Sequence, residues 1–216
     1  MEKLLCPSIM CANFDNLARE IKSLNDADID IFHCDIMDGT FVPNITMGTK
    51  DIQTIRKYTD KLIDCHLMIE NPSNKVDWFI DLGVNIIYIH PESERYTIRT
   101  LQHIRNRGVL SGIAINPDTS VSTIEEILPF CDYVMVMTVN PGFAGQQFIE
   151  PIKKKINKLV SLKEKFGYKI MIDGACSPTV IEELSKSKCD GFILGTSALF
   201  NKGVDYTTLI KDLRKL

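Results

Sequence analysis

No stretch of this sequence reaches the about 18 consecutive apolar residues that a membrane-spanning helix needs. No linker, low-complexity segment or block of like charge divides it either, so its composition offers no second domain and no disordered arm. Charge of one sign is scarce: the net charge is −3 at pH 7, with basic and acidic residues dispersed. Neither nucleic acid nor an anionic membrane is therefore expected as a partner. The opening MEKLLCPSIM is too short and too acidic for a signal peptide. The seven cysteines are odd in number and form no CxxC pair. A disulfide framework is not expected, and the pattern reads as reduced, mostly buried thiols of a cytoplasmic protein.

What is present is an apolar share of 44% in 216 residues, enough for a sizeable core, dealt out in short runs. Strand candidates fall at 3–8, 30–35, 61–66, 85–89, 109–115, 132–137, 168–172 and 190–194. Each is short and rich in Ile, Val, Leu or Tyr, as suits strands buried on both faces. Helix candidates fill the gaps at 14–26, 49–58, 72–82, 95–107, 121–128, 148–166, 177–187 and 205–215. Leu17, Ile21 and Leu24 share a helical face, and Pro72 and Gly83 bracket another helix. Eight βα units in alternation predict an α/β fold, a single (β/α)8 TIM barrel. An open doubly wound sheet is the alternative, although it usually has fewer strands.

In such a barrel the active site lies at the C-terminal ends of the strands, and the unusual residues collect there. Ser8 ends the first strand, His33 and Asp35 the second, and His66 the third; Asp173 follows the seventh. Side chains alternate along a strand, so His33 and Asp35 share a face, as do Asp64, His66 and Met68. Imidazole with carboxylate is a typical divalent-metal set. Each residue alone is also explained by an ordinary hydrogen bond or turn, and spacing leaves the two readings level. His90 is a weaker candidate, and His103 reads as a surface residue. Asp38, Gly39 and Asn44 are expected to shape the loop after the second strand.

Gly142, Gly145, Gly174 and Gly195 fall in the loops after strands six, seven and eight. Glycine lets backbone N–H groups approach an anion, so three adjacent loops favour a phosphorylated ligand over plain turns. Met10, Met37, Met68 and Met137 recur at strand ends, either as core filling or as an apolar wall around a reacting carbon. Cys176, close to Asp173, reads as a small loop residue rather than a reactive thiol.

Over nearly its whole length the sequence resembles the ribulose-phosphate 3-epimerase family. The motifs are PSIM, HCDIMDGTFVPN, DCHLM, MTVNPGFAGQQFI, IDGACSP and GTSALF. Within the family, LIDCHLM, IHPES, NPGFAGQ, DGAC and GTSALFN look closest to the D-allulose-6-phosphate 3-epimerase branch. Ala144, Ala175 and Thr196 stand where the ribulose-phosphate pattern has glycine. The resemblance implies that 1–216 is a single ribulose-phosphate-binding (β/α)8 barrel domain, forming a homo-oligomer. It implies one divalent cation per chain (Zn, Fe, Mn, Co or Mg) held by His33, Asp35, His66 and Asp173, with Asp35 and Asp173 as the acid and base.

The resemblance also makes Ser8 and His66 substrate contacts, with Met37, Met68 and Met137 as the wall. The phosphate falls to Gly142, Phe143, Ala144 and Gly145, then Gly174 and Ala175, then Gly195, Thr196 and Ser197. The implied activity is metal-dependent 3-epimerisation of a phosphorylated ketose. D-allulose 6-phosphate ⇌ D-fructose 6-phosphate is favoured by the motifs, with D-ribulose 5-phosphate ⇌ D-xylulose 5-phosphate as the alternative. Two other readings are a barrel synthase or decarboxylase, for which the strand ends lack a lysine, and a non-catalytic sugar-phosphate-binding barrel.

Overall fold

A computed structural model describes residues 3–216. Eight parallel strands run β1 Leu4–Pro7, β2 Ile31–Met37, β3 Leu62–Met68, β4 Ile86–Ile89, β5 Leu110–Ile115, β6 Tyr133–Met137, β7 Lys169–Asp173 and β8 Gly191–Leu194. They alternate with α1 Leu17–Asp26, α2 Thr49–Tyr58, α3 Val76–Ile80, α4 Thr97–Asn106, α5 Val121–Ile124, α6 Lys153–Phe166, α7 Pro178–Lys186 and α8 Tyr206–Lys215. The hydrogen-bonded order is β1-β8-β7-β6-β5-β4-β3-β2. Its two ends meet at a parallel bridge between Ser8 and His33, and the Asp30 N–H donates to the Leu5 carbonyl. The expected (β/α)8 barrel is what forms, and the open sheet is excluded. Among the described residues no helix is long and apolar enough to cross a membrane.

The short runs become strands because both of their faces are covered. One face packs beneath the helices, where Phe32, Cys34, Ile63, Cys65, Ile87 and Ile89 meet residues such as Ile21, Leu24, Ile52 and Ile55. The other face fills the barrel, with Cys6, Ile31, Ile86, Tyr88, Ala114, Met135 and Met171 among its occupants. β2 and β3 each run two residues beyond the expected 30–35 and 61–66. The cause is continued pairing: Asp35 stands opposite His66 and Met37 opposite Met68, all four buried. The polar residues at the mouth thus stand on regular strand, which is stiffer than loop.

Helix α2 is where 49–58 was expected, but several helices begin or end in tighter turns. The segment 14–26 opens as a 3-10 turn, Phe14–Asn16, capped by the Asn13 side chain. Within 72–82 the Pro72–Asn74 turn is separate from α3, because Glu94 accepts the Ser73 N–H and the Lys75 ammonium turns back to the Glu70 carbonyl. The segment 121–128 is helical only to Ile124; Pro129 disfavours helical backbone at the residue before it, and a second turn, Leu128–Phe130, follows. The segment 148–166 likewise starts with a turn at Glu150–Ile152 before α6.

The barrel interior alternates large and small. A Cβ on Gly112 would lie 2.6 Å from Cδ1 of Tyr88, whose ring therefore occupies the space that glycine leaves. Tyr88 is fully buried and stands in register beside His66. The Gly112→Ala variant is expected to lose about 1–3 kcal/mol of stability in urea unfolding, the usual cost of overpacking a core. Unchanged stability would contradict this packing.

Candidate active site

The register of β2 and β3 explains how two histidines on different levels reach one point. His33 pairs with Asp64, one layer below the Asp35–His66 pair. From the deeper layer His33 extends its far nitrogen, Nε2, to 3.2 Å from Asp35 Oδ1. His66, level with Asp35, needs only its near nitrogen, and Nδ1 lies 3.2 Å from the same oxygen. Asp173, at the end of β7, puts Oδ2 at 3.4 Å from His66 Nδ1 and 4.0 Å from His33 Nε2. One donor atom from each of the four residues falls within 4.8 Å of every other.

This set fits a divalent cation. An ion with ligand distances of about 2.1 Å has adjacent donors about 3.0 Å apart in an octahedron and about 3.4 Å apart in a tetrahedron. The 3.2, 3.2 and 3.4 Å contacts lie in that range, and the 4.0 Å one approaches the about 4.2 Å that separates opposite donors of an octahedron. In Asp35, His33 and His66 a second atom is committed elsewhere, which fixes the aim of the free one. Asp35 Oδ2 accepts from the Ser8 hydroxyl at 2.6 Å, leaving Oδ1 for the two rings. His33 Nδ1 lies 2.6 Å from Asp64 Oδ1. His66 Nε2 lies 2.8 Å from His90 Nε2.

The electrostatics follow from burial. His33, Asp64 and His66 are sealed from solvent, and Asp35 nearly so. Burial opposes charge on Asp35, yet the two rings outweigh it and hold its carboxyl far below the usual carboxylate range. Burial likewise opposes protonation of His33, but Asp64 and Asp35 override it and raise its pKa. His66 is raised in the same way, against burial, by Asp173 and Asp35. Burial pushes the Asp64 carboxyl up even beside His33. His90 is pushed down to about 4, by burial first and by His66 as well.

Above the four lies an open cavity, about 550 Å³ when the solvent at its mouth is counted. Ser8, Met37, Met68 and Met137 line its lower wall. The loops after β6, β7 and β8 supply Gly142–Gly145, Gly174 with Ala175, and Gly195–Ser197. All the expected contacts thus face one space, except His33 and His66, which lie beneath it. Asn44 donates from Nδ2 to the Gly142 carbonyl at 2.8 Å, tying the loop after β2 to the loop after β6. The Asp38 carboxylate accepts N–H groups of Thr40, Phe41 and Glu70, so this loop is shaped as expected. Gly142 and Gly174 have φ of 122° and 111°, and Ala175 takes a left-handed φ of 49°. Phe143 stands half-exposed at the rim.

Three residues, the buried Asp64 and His90 and the more exposed Glu92, had no assigned role in the sequence. Asp64 lies behind His33; its place on the interior face of β3 was the available signal. His90 was ranked too low: it is fully buried against His66, two residues beyond Tyr88 on the same strand face. Glu92 follows it, 3.4 Å from His90 Nδ1. Cys11, Val139 and Gln146 also line the cavity. His103 is a surface residue, contacting Asp77 at 3.0 Å. Cys176 is buried, and burial raises its thiol pKa, which suits an inert loop residue. No lysine lines the cavity; Lys61 sits at the opposite end of β3, 3.2 Å from Asp28.

A family model described as "Ribulose-phosphate 3 epimerase family" matches residues 4–200. The chain belongs to the ribulose-phosphate 3-epimerase family. It is 38% identical to the ribulose-phosphate 3-epimerase of Aquifex aeolicus, covering 95% of this chain and 94% of that one. It is 39% identical to the Synechocystis protein of the same name, covering 98% and 93%. Membership makes it an isomerase, a carbohydrate epimerase acting on a ketose phosphate. Among solved structures, 3-keto-L-gulonate-6-phosphate decarboxylase from Vibrio cholerae superposes with a TM-score of 0.73 over 100% of this chain and 97% of that one. At 11% identity this is a likeness of fold.

The epimerase should take up a single divalent cation, measurable by elemental analysis after loading and dialysis. Because the pKa values of His33 and His66 are raised, protons compete for the same lone pairs. Cation affinity should rise with pH, and binding should release protons, read by calorimetry in buffers of different ionisation enthalpy. Absence of proton release near neutral pH would contradict the arrangement.

Proposed function

We propose that this site epimerises a phosphorylated ketose at C3, with Asp35 and Asp173 as the acid/base pair and His33, Asp35, His66 and Asp173 as cation ligands. The observation that carries the proposal is the meeting of the two carboxyls under one cavity from different walls. Asp35 comes from β2 and Asp173 from β7, with β1 and β8 between them in the ring.

Inverting C3 requires that its proton leave from one face and a proton return to the other. A carbon beside the C2 carbonyl is a weak acid, and its conjugate base is an enediolate that must be stabilised. A bound divalent cation supplies Lewis-acid stabilisation of the developing oxygen charge. One ionised carboxyl takes the C3 proton, and the other, protonated, delivers its own to the opposite face. The roles exchange for the reverse reaction. The Ser8 hydroxyl, bonded to Asp35 Oδ2, fixes that carboxyl's plane. Met37, Met68 and Met137 form an apolar wall that keeps water from the reactive carbon. Backbone N–H groups of the glycine-rich loops hold the phosphate, and its binding positions C3 between the carboxyls.

For the substrate, the names of the relatives support D-ribulose 5-phosphate ⇌ D-xylulose 5-phosphate. They lend no support to D-allulose 6-phosphate, which the sequence motifs favour. The second reading keeps one specific observation: Ala175 places a methyl group in left-handed backbone on the cavity wall, where the family pattern has glycine. The proposal includes a cytoplasmic, homo-oligomeric enzyme, as the thiols and the resemblance imply.

Asp35→Asn and Asp173→Asn are each expected to lower turnover by about 10²–10⁴-fold while circular dichroism stays native. Near-normal turnover in either would remove the two-carboxyl scheme. A metal-loaded comparison of kcat/KM for the two ketose phosphates decides the substrate. Preference for ribulose 5-phosphate supports the first reading, and preference for allulose 6-phosphate the second. Binding of both without exchange of the C3 hydrogen for solvent deuterium would make the barrel a sensor.

A further inference from the structure

Behind His66 lies a polar chain that the reaction itself does not use. His66 Nδ1 faces Asp35 and Asp173, so a cation there requires a lone pair on Nδ1 and a proton on Nε2. The nearest atom to that proton is Nε2 of His90, at 2.8 Å. Two ring nitrogens so close cannot both carry hydrogen, so His90 must offer a lone pair there. Its own proton then belongs on Nδ1, which lies 3.4 Å from Glu92 Oε2, an ion-pair contact rather than a closed hydrogen bond. Glu92 is itself anchored: Oε1 accepts the Asn116 N–H at 2.9 Å and the Thr119 hydroxyl. The His66 and His90 rings stack with centroids 5.0 Å apart, and Phe41 covers His90 from 4.8 Å.

Every hydrogen in this chain runs the same way, from His66 to His90 to Glu92. We propose that His90 and Glu92 are positioning residues for the cation site: Glu92 orients His90, and His90 accepts the Nε2–H of His66, holding the tautomer whose Nδ1 faces the two aspartates. This rests on reading His66 as a cation ligand. His33 is held by a carboxylate placed directly behind it, Asp64. His66 is held by a carboxylate acting through a second imidazole. The second imidazole stands between them because Glu92 lies beyond the end of β4, in the Pro91–Ser93 turn. A histidine that merely fills the interior would have no reason to aim one nitrogen at a ligand and the other at an anchored carboxylate.

The test is cobalt(II) affinity, measured by competition with a chelator, alongside thermal melting of the metal-free protein. His90→Leu is expected to weaken binding by about 10–100-fold, the usual effect of losing a partner behind a metal ligand. His90→Gln should recover most of that loss, because its amide oxygen can accept the same N–H. A purely structural role would lower the melting temperature and leave affinity unmoved. Parent-like affinity in His90→Leu overturns the proposal, as does a His90→Gln variant no better than the leucine. If the leucine variant does not fold, Glu92→Ala, which removes the acceptor for the His90 Nδ1–H, decides: weaker cobalt binding supports the proposal and unchanged binding overturns it. A parent enzyme that binds no cobalt would remove the cation reading and this proposal together. A parent that binds tightly beside an equally tight His90→Leu removes only this one.

Discussion

Two imidazoles and two carboxyls are brought to one point from which water is nearly excluded. Like charges so placed would repel with little screening, and unpaired ones would be costly to bury. The rest of the structure is arranged around that constraint. Ser8 takes one oxygen of Asp35, Asp64 backs His33 and His90 backs His66, so three of the four residues have a neighbour that fixes their direction. One donor atom from each of the four residues is left to face the others. The site is thus defined as much by the groups that occupy the other lone pairs as by the four residues themselves.

The barrel supplies the stiffness that this demands. Pairing that persists to Met37 and Met68 keeps Asp35 and His66 on regular strand, and the Gly112–Tyr88 fit packs the interior beneath them. Loop residues carry the less exacting task. Glycines at 142, 145 and 174 bend backbone over the cavity, and the Asn44 side chain holds one of these bends against the loop across the mouth.

The strands and the four polar residues were legible because the signals are local. Short apolar runs separated by amphipathic segments spell out the barrel, and alternation alone puts His33 with Asp35. Asp64, His90 and Glu92 were not legible, since their importance depends on which residue stands opposite which. That register arises from the twist and stagger of the closed ring. Asp64 follows the same alternation as His66 and could be placed on its face, but nothing in the spacing says that His33 lies across from it. The opening turns at 14–16, 72–74 and 150–152 were read as helix for a related reason. Apolar periodicity does not distinguish a 3-10 turn from the first turn of an α-helix, whereas side-chain anchors such as Glu94 do.

β1 is the first strand in chain order, yet its extended partner is β8, the eighth. Ser8 from one end of the chain and Ser197 from the other share a single cavity. The cavity is complete only where the β8 end of the ring stands beside β1, so the wall that carries the glycine-rich loops and the wall that carries Ser8 are joined by that one pairing.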